Sequence, residues 1–152
     1  MVHSVKSAFA WFFTTTVLSI AVGLALFRFG PSLEVEFFPP YTHMSGGVVS
    51  TDATRTILVI TGEKTRDCRF EALNGDVLLH GTWIRGTARM LDENNETLKP
   101  EDQRLGPGSR FVRRVEITPG GELLRLSSVS TCHSLWSTIQ PLVQLRTTTI
   151  PQ

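Results

Sequence analysis

One run near the start constrains everything else: residues 7–27 read SAFAWFFTTTVLSIAVGLALF, twenty-one residues with no ionisable side chain. As a helix it would be roughly 31 Å long, about the thickness of a bilayer's hydrocarbon core. Leu18 and Val22 fall near its middle. Trp11 falls near one end, where an amphipathic ring suits the membrane interface, and Phe27 near the other. A cleaved secretory signal is the competing reading, with a small-residue site around Ala21-Val22-Gly23. The apolar run continues past that site, which favours a retained helix in a lipid bilayer. Gly30-Pro31 is expected to end the helix, since glycine can cap it and proline cannot continue its ladder. The chain therefore divides into a short tail (1–6), an anchor (7–30) and a domain (33–152).

Lysine and arginine flank the run equally, with Lys6 on one side and Arg28 on the other, so the positive-inside rule barely orients it. The two cysteines say more. Cys68 and Cys132 belong to no CxxC motif, and a lone pair in a β domain outside the cytoplasm usually forms a bridge. That places the N-terminus in the cytoplasm and the domain in the periplasm or its equivalent.

The domain reads as strand after strand. Residues 33–37 alternate with period two, and Pro39-Pro40 then break the chain. Residues 56–61 are apolar on both faces. Asn74-Gly75 is the strongest short hairpin signal, between 68–73 and 76–85, and Pro119-Gly120-Gly121 marks a second, between 111–118 and 122–130. Residues 142–150 form a last strand, and 92–108 an exposed loop. Strands at this spacing predict an all-β domain, a two-sheet sandwich or a barrel, with the sandwich preferred. Cys68, Trp83 and Cys132 are spaced in a way that resembles immunoglobulin domains, whose tryptophan packs on an inter-sheet disulfide. Ser130 stands where that family's corner tyrosine would. The spacing therefore implies a sandwich core with Trp83 buried beside the bridge.

No chemistry-bearing constellation emerges. His3, His43, His80 and His133 are scattered, and Cys132-His133 would point to opposite faces of a strand. Asp92, Asn94 and Glu96 start like a calcium loop, but Thr97 replaces the turn glycine and Gln103 the closing glutamate. Asn95-Glu96-Thr97 fits a glycosylation sequon. Arg66, Arg69, Arg104, Arg110, Arg113 and Arg114 could meet lipid headgroups, or pair across a sheet surface, which is the preferred reading. A net charge of +1 implies no nucleic-acid partner. No catalytic, cofactor or metal residue is assigned. The expected protein is a non-enzymatic, single-pass accessory or structural subunit of a membrane complex or a membrane-associated virion. Phe38, beside the membrane, is the candidate contact with its protein partner. The alternative is a membrane-tethered module that binds a ligand or glycan.

Overall fold

The structure, a computed structural model, describes residues 2–92, 94–99 and 103–147, with side chains placed from residue 10 onward. One helix, α1 (Val2–Phe37), precedes β1 (Tyr41–Thr51), β2 (Thr56–Lys64), β3 (Arg69–Leu79), β4 (Thr82–Leu91), β5 (Arg110–Thr118), β6 (Leu123–Thr131) and β7 (Thr138–Arg146). The helix contains a segment, Ala10–Phe37, long and apolar enough to cross a membrane.

It does not stop at Gly30-Pro31. Pro31 lies inside it, and residues 33–37 are its last turns rather than a strand. A proline removes one ladder bond, here the one that would reach the Phe27 carbonyl. The ladder resumes beyond it, with the Phe38 N–H donating to the Glu34 carbonyl at 2.8 Å. Gly30 and Glu34, four apart and so on one helix face, are both buried against the β domain. That docking outweighs the proline. The period-two pattern of residues 33–37 was simply too short to separate strand from helix face.

The seven strands form one nearly closed antiparallel sheet, in the order β1-β2-β5-β4-β3-β6-β7, rather than two packed sheets. β3, β4 and β5 make a meander, and the chain then crosses the end of the β3–β4 hairpin to place β6 beside β3. That crossing, residues 119–122, runs so close to the β1–β2 turn that a Cβ on Gly120 would overlap the Asp52 carbonyl oxygen. Inside, Leu58 and Ile60 of β2, Val77 of β3, Val115 and Ile117 of β5, and Leu124 and Leu126 of β6 form the core. β2 alternates buried and half-buried along its whole length, the mark of a strand with one face inward.

β1 and β7 meet without a continuous ladder. The Gln140 side chain joins them instead: its Oε1 accepts the Tyr41 N–H at 3.0 Å, and its Nε2 donates to the Tyr41 carbonyl at 2.6 Å. One amide side chain thus takes the place of a missing strand neighbour at the helix end of the seam. Register shifts in both strands, and Pro141 in β7, make the remaining edges poor templates for another strand.

Several local expectations change. Asn74-Gly75 lies within β3, and the hairpin turn falls on His80-Gly81, both at positive φ (49° and 78°), as a two-residue I′ turn requires. β1, which contains Gly46-Gly47, has no counterpart in the sequence reading. The Pro119-Gly120-Gly121 link does follow β5, but it leads across the barrel end rather than back along the same strand. The strand expected through residue 150 is seen as far as Arg146; residues 148–152 lie outside the described ones.

Trp83 is the larger correction. It is the second residue of β4, opposite Leu78, near the hairpin at the far end of the barrel, whereas Cys68 immediately precedes β3 at the helix end. It is 36% exposed, and the Arg125 guanidinium lies 4.2 Å from its ring centroid. The cysteine–tryptophan spacing would bring these groups together only in a sandwich. Trp83→Ala is accordingly expected to cost about 1 kcal/mol, the scale of a partly exposed cation–π contact, rather than the 3–5 kcal/mol of a core tryptophan. Thermal and denaturant melts check this.

Candidate functional site

The polar group that no motif announced lies where α1 meets the barrel. The links 38–40, 65–68 and 132–137 meet at the end of the helix. Glu34, on the last turns of α1, is only 7% exposed. Its Oε1 pairs with Arg66 Nη1 of the β2–β3 link at 2.6 Å. Its Oε2 accepts from Trp136 Nε1 at 2.9 Å and from the Thr138 hydroxyl at 2.5 Å. His133 Nε2 lies 3.4 Å from the same oxygen. Arg66 also donates to the Phe38 carbonyl at 3.1 Å. One carboxylate therefore ties the helix to β7 and to two different loops.

Apolar packing completes the joint. Trp136 packs edge-on to Phe27, with ring centroids 6.2 Å apart, and edge-on to His133 at 4.2 Å. It lies so close to Gly30 that a Cβ there would come within 2.7 Å of the indole. Only glycine permits that approach. Phe27 is the last residue of the uncharged run, so the barrel reaches down to the level where that run ends.

The disulfide sits beside this joint. Cys68 and Cys132 are bonded, closing a sequence separation of 64 and linking the entry of β3 to the end of β6. Glu71, three residues after Cys68, accepts the Thr131 hydroxyl at 2.6 Å and the Ser137 hydroxyl at 3.1 Å. These bonds, Thr131 first, hold its carboxyl below the usual range. Tyr41 at the start of β1 is buried, and burial raises its phenol above the ordinary value.

Of the residues singled out in the sequence, Trp11, Leu18, Val22 and Phe27 are all exposed along α1, as lipid-facing residues would be. Phe38 is 66% exposed just past the helix, beside exposed Leu33 and Phe37. Asp92 Oδ1 accepts the N–H groups of Asn94 and Glu96, a local turn rather than an open ligand set; Glu93 lies outside the described residues. The Asn95 side chain accepts from Arg114 Nη1 at 3.0 Å. On the sheet surface Glu116 is clamped between Arg89 (2.6 Å) and Arg55 (3.3 Å), and Arg110 faces Glu63 at 3.5 Å. Much of the arginine content is thus paired.

Two spaces bear on what could bind. Inside the helix end of the barrel, between Tyr41, Met90, Phe111 and Leu142, the void is about 20 Å³, enough for about one water and far below a ligand pocket. Outside, an open cleft of about 1250 Å³ runs between the β2–β3 link, residues 103–105 and the start of the β6–β7 loop. Among the described residues no group of histidine, cysteine and acidic side chains is placed to hold a metal. The chain matches no protein-family model, no curated protein and no solved structure.

Proposed function

We propose that this is a non-enzymatic, single-pass membrane protein whose β-barrel domain serves as an accessory or structural subunit, either of a membrane complex or of a membrane-associated virion. The observation that carries the reading is the Glu34 joint. A tether would leave the domain free on a linker. Here only residues 38–40 separate helix from barrel, and a buried carboxylate, an indole and a guanidinium fix one to the other. Such a body suits bracing a neighbour at a set height and angle above a bilayer. The disulfide supports an oxidising compartment for the barrel, with the N-terminus cytoplasmic.

The partner contact is assigned to the exposed apolar residues where the helix leaves the membrane, Leu33, Phe37 and Phe38. Phe38→Ala removes an exposed ring and is expected to leave the thermal melt unchanged. The complex that co-purifies in mild detergent should be lost, because exposed aromatic anchors often carry 2 kcal/mol or more, about a thirty-fold loss of affinity. Unchanged co-purification would move the partner away from this residue.

A second reading, a tethered binding module for a ligand or glycan, draws on the partial exposure of Trp83 at the far end, with Arg125 stacked on it. Quenching of Trp83 fluorescence by a ligand panel, absent in Trp83→Ala, would favour it.

A further inference from the structure

The cleft outside the helix end contains a buried ammonium group with no carboxylate paired to it among the described residues. Lys64, the last residue of β2, is 5% exposed and lines this cleft. Its Nζ donates to the Leu105 carbonyl at 2.6 Å. An ammonium has three N–H donors, and among the described residues no carboxylate lies within ion-pair distance of this one. With one donor on the Leu105 carbonyl, the buried ammonium has further donors to offer an anion in the cleft. Arg69 and Arg104, both exposed, line the same cleft. Asp67 and Glu71 line it too, but Glu71 is occupied by the Thr131 and Ser137 hydroxyls.

The place of the cleft selects the anion. Its wall includes Cys132, His133 and Ser134. The chain continues directly into Leu135, which is exposed, and Trp136, which touches Phe27 at the end of the uncharged run. The cleft therefore lies at the height of the bilayer surface if α1 spans, a tryptophan at that height being the usual interface marker. Phosphates of anionic lipids concentrate there and attract basic side chains.

We propose that this cleft binds the phosphate of an anionic lipid headgroup, held by Lys64 from within and by Arg69 and Arg104 from the rim. The proposal rests on the reading of α1 as a membrane span. The test uses the full chain reconstituted in phosphatidylcholine bilayers with and without phosphatidylglycerol. The fraction of spin-labelled phosphatidylglycerol immobilised by the protein is compared with that of spin-labelled phosphatidylcholine. A preference for the anionic lipid is expected. It should fall about five-fold for each charge removed in Arg69→Gln and Arg104→Gln, substitutions at exposed positions that leave the fold intact. Arg85→Gln with Arg146→Gln, at the far end, should leave the preference unchanged. An equal loss in that control would make the effect one of general charge and overturn the site. So would a preference that survives in the Arg69→Gln, Arg104→Gln protein, or one absent from the wild type. Inorganic phosphate binding in lipid-free micelles, without any lipid preference in bilayers, would overturn the lipid assignment. The two readings fail separately. Protein stripped from phosphatidylcholine bilayers by alkaline wash refutes the span, whereas protein retained without anionic preference refutes only the cleft.

Discussion

Glu34→Ala is expected to destabilise the protein by about 3 kcal/mol and to loosen the helix from the barrel. Breaking a buried ion pair from one side typically costs about 3–5 kcal/mol, because the partner charge stays behind. Here Arg66 is about a third exposed, and water can take over part of its charge, so the lower figure applies. Trp136 Nε1 and the Thr138 hydroxyl lose their acceptor as well, and buried donors left unpaired cost about 1–3 kcal/mol each. Glu34→Gln keeps an oxygen for those donors and should fall between wild type and alanine. Denaturant unfolding in detergent gives the energy. Distances between spin labels on α1 and on the barrel give the looseness, as a broadened distribution. A loss below about 1 kcal/mol with an unchanged distribution would mean that apolar packing of Trp136 on Phe27 and Gly30 holds the joint without the carboxylate.

Removing the disulfide should have an effect of similar size by another route. Closing a loop of this length restricts the unfolded chain by roughly 4 kcal/mol in the chain-entropy model. Cys68→Ala with Cys132→Ala is expected to lower unfolding stability by about that amount. Cys132 precedes the loop that carries His133 and Trp136, so the bridge also steadies the side chains that grip the helix. Combining the cysteine pair with Glu34→Ala should therefore give less than the sum of the separate losses, since both act through residues 132–138. Two free thiols in freshly isolated protein, found by non-reducing mass mapping, would refute the bridge and with it the argument for an oxidising compartment.

Sequence was a good guide where one physical signal dominates. A long uncharged run can be little other than an apolar helix, and β-branched strands between turn residues announced an all-β domain. Two cysteines without a metal spacing announced a bridge. It failed where tertiary contacts decide between local options. Pro31 argued for a helix end, and nothing in residues 28–37 reveals that Trp136, a hundred residues later, packs on Gly30. Glu34 fell within an expected strand, residues 33–37, for the same reason. The four-residue spacing of Gly30 and Glu34 was the available signal, meaningful only once the helix was allowed to continue. Whether the strands made one sheet or two rested on which strands pair, and the closing of its seam on Gln140 reaching Tyr41, neither of which any periodicity encodes. Lys64 looked like any strand-end lysine, because its burial comes from residues 103–105 folding over it.

The seam closed by Gln140 also sets an order of events. The two ends of the barrel are joined by a contact 99 residues apart in sequence, and Glu34 meets Trp136 and Thr138 across 102 and 104. A ribosome must deliver nearly the whole chain before either contact can exist. Until then α1 can already occupy a bilayer while the strands behind it form an open, curling sheet with nothing holding it upright. Closing the barrel and fixing its attitude to the helix both await β7, so a nascent chain that stalls short of residue 138 has an anchor and most of a sheet, but no fixed relation between them.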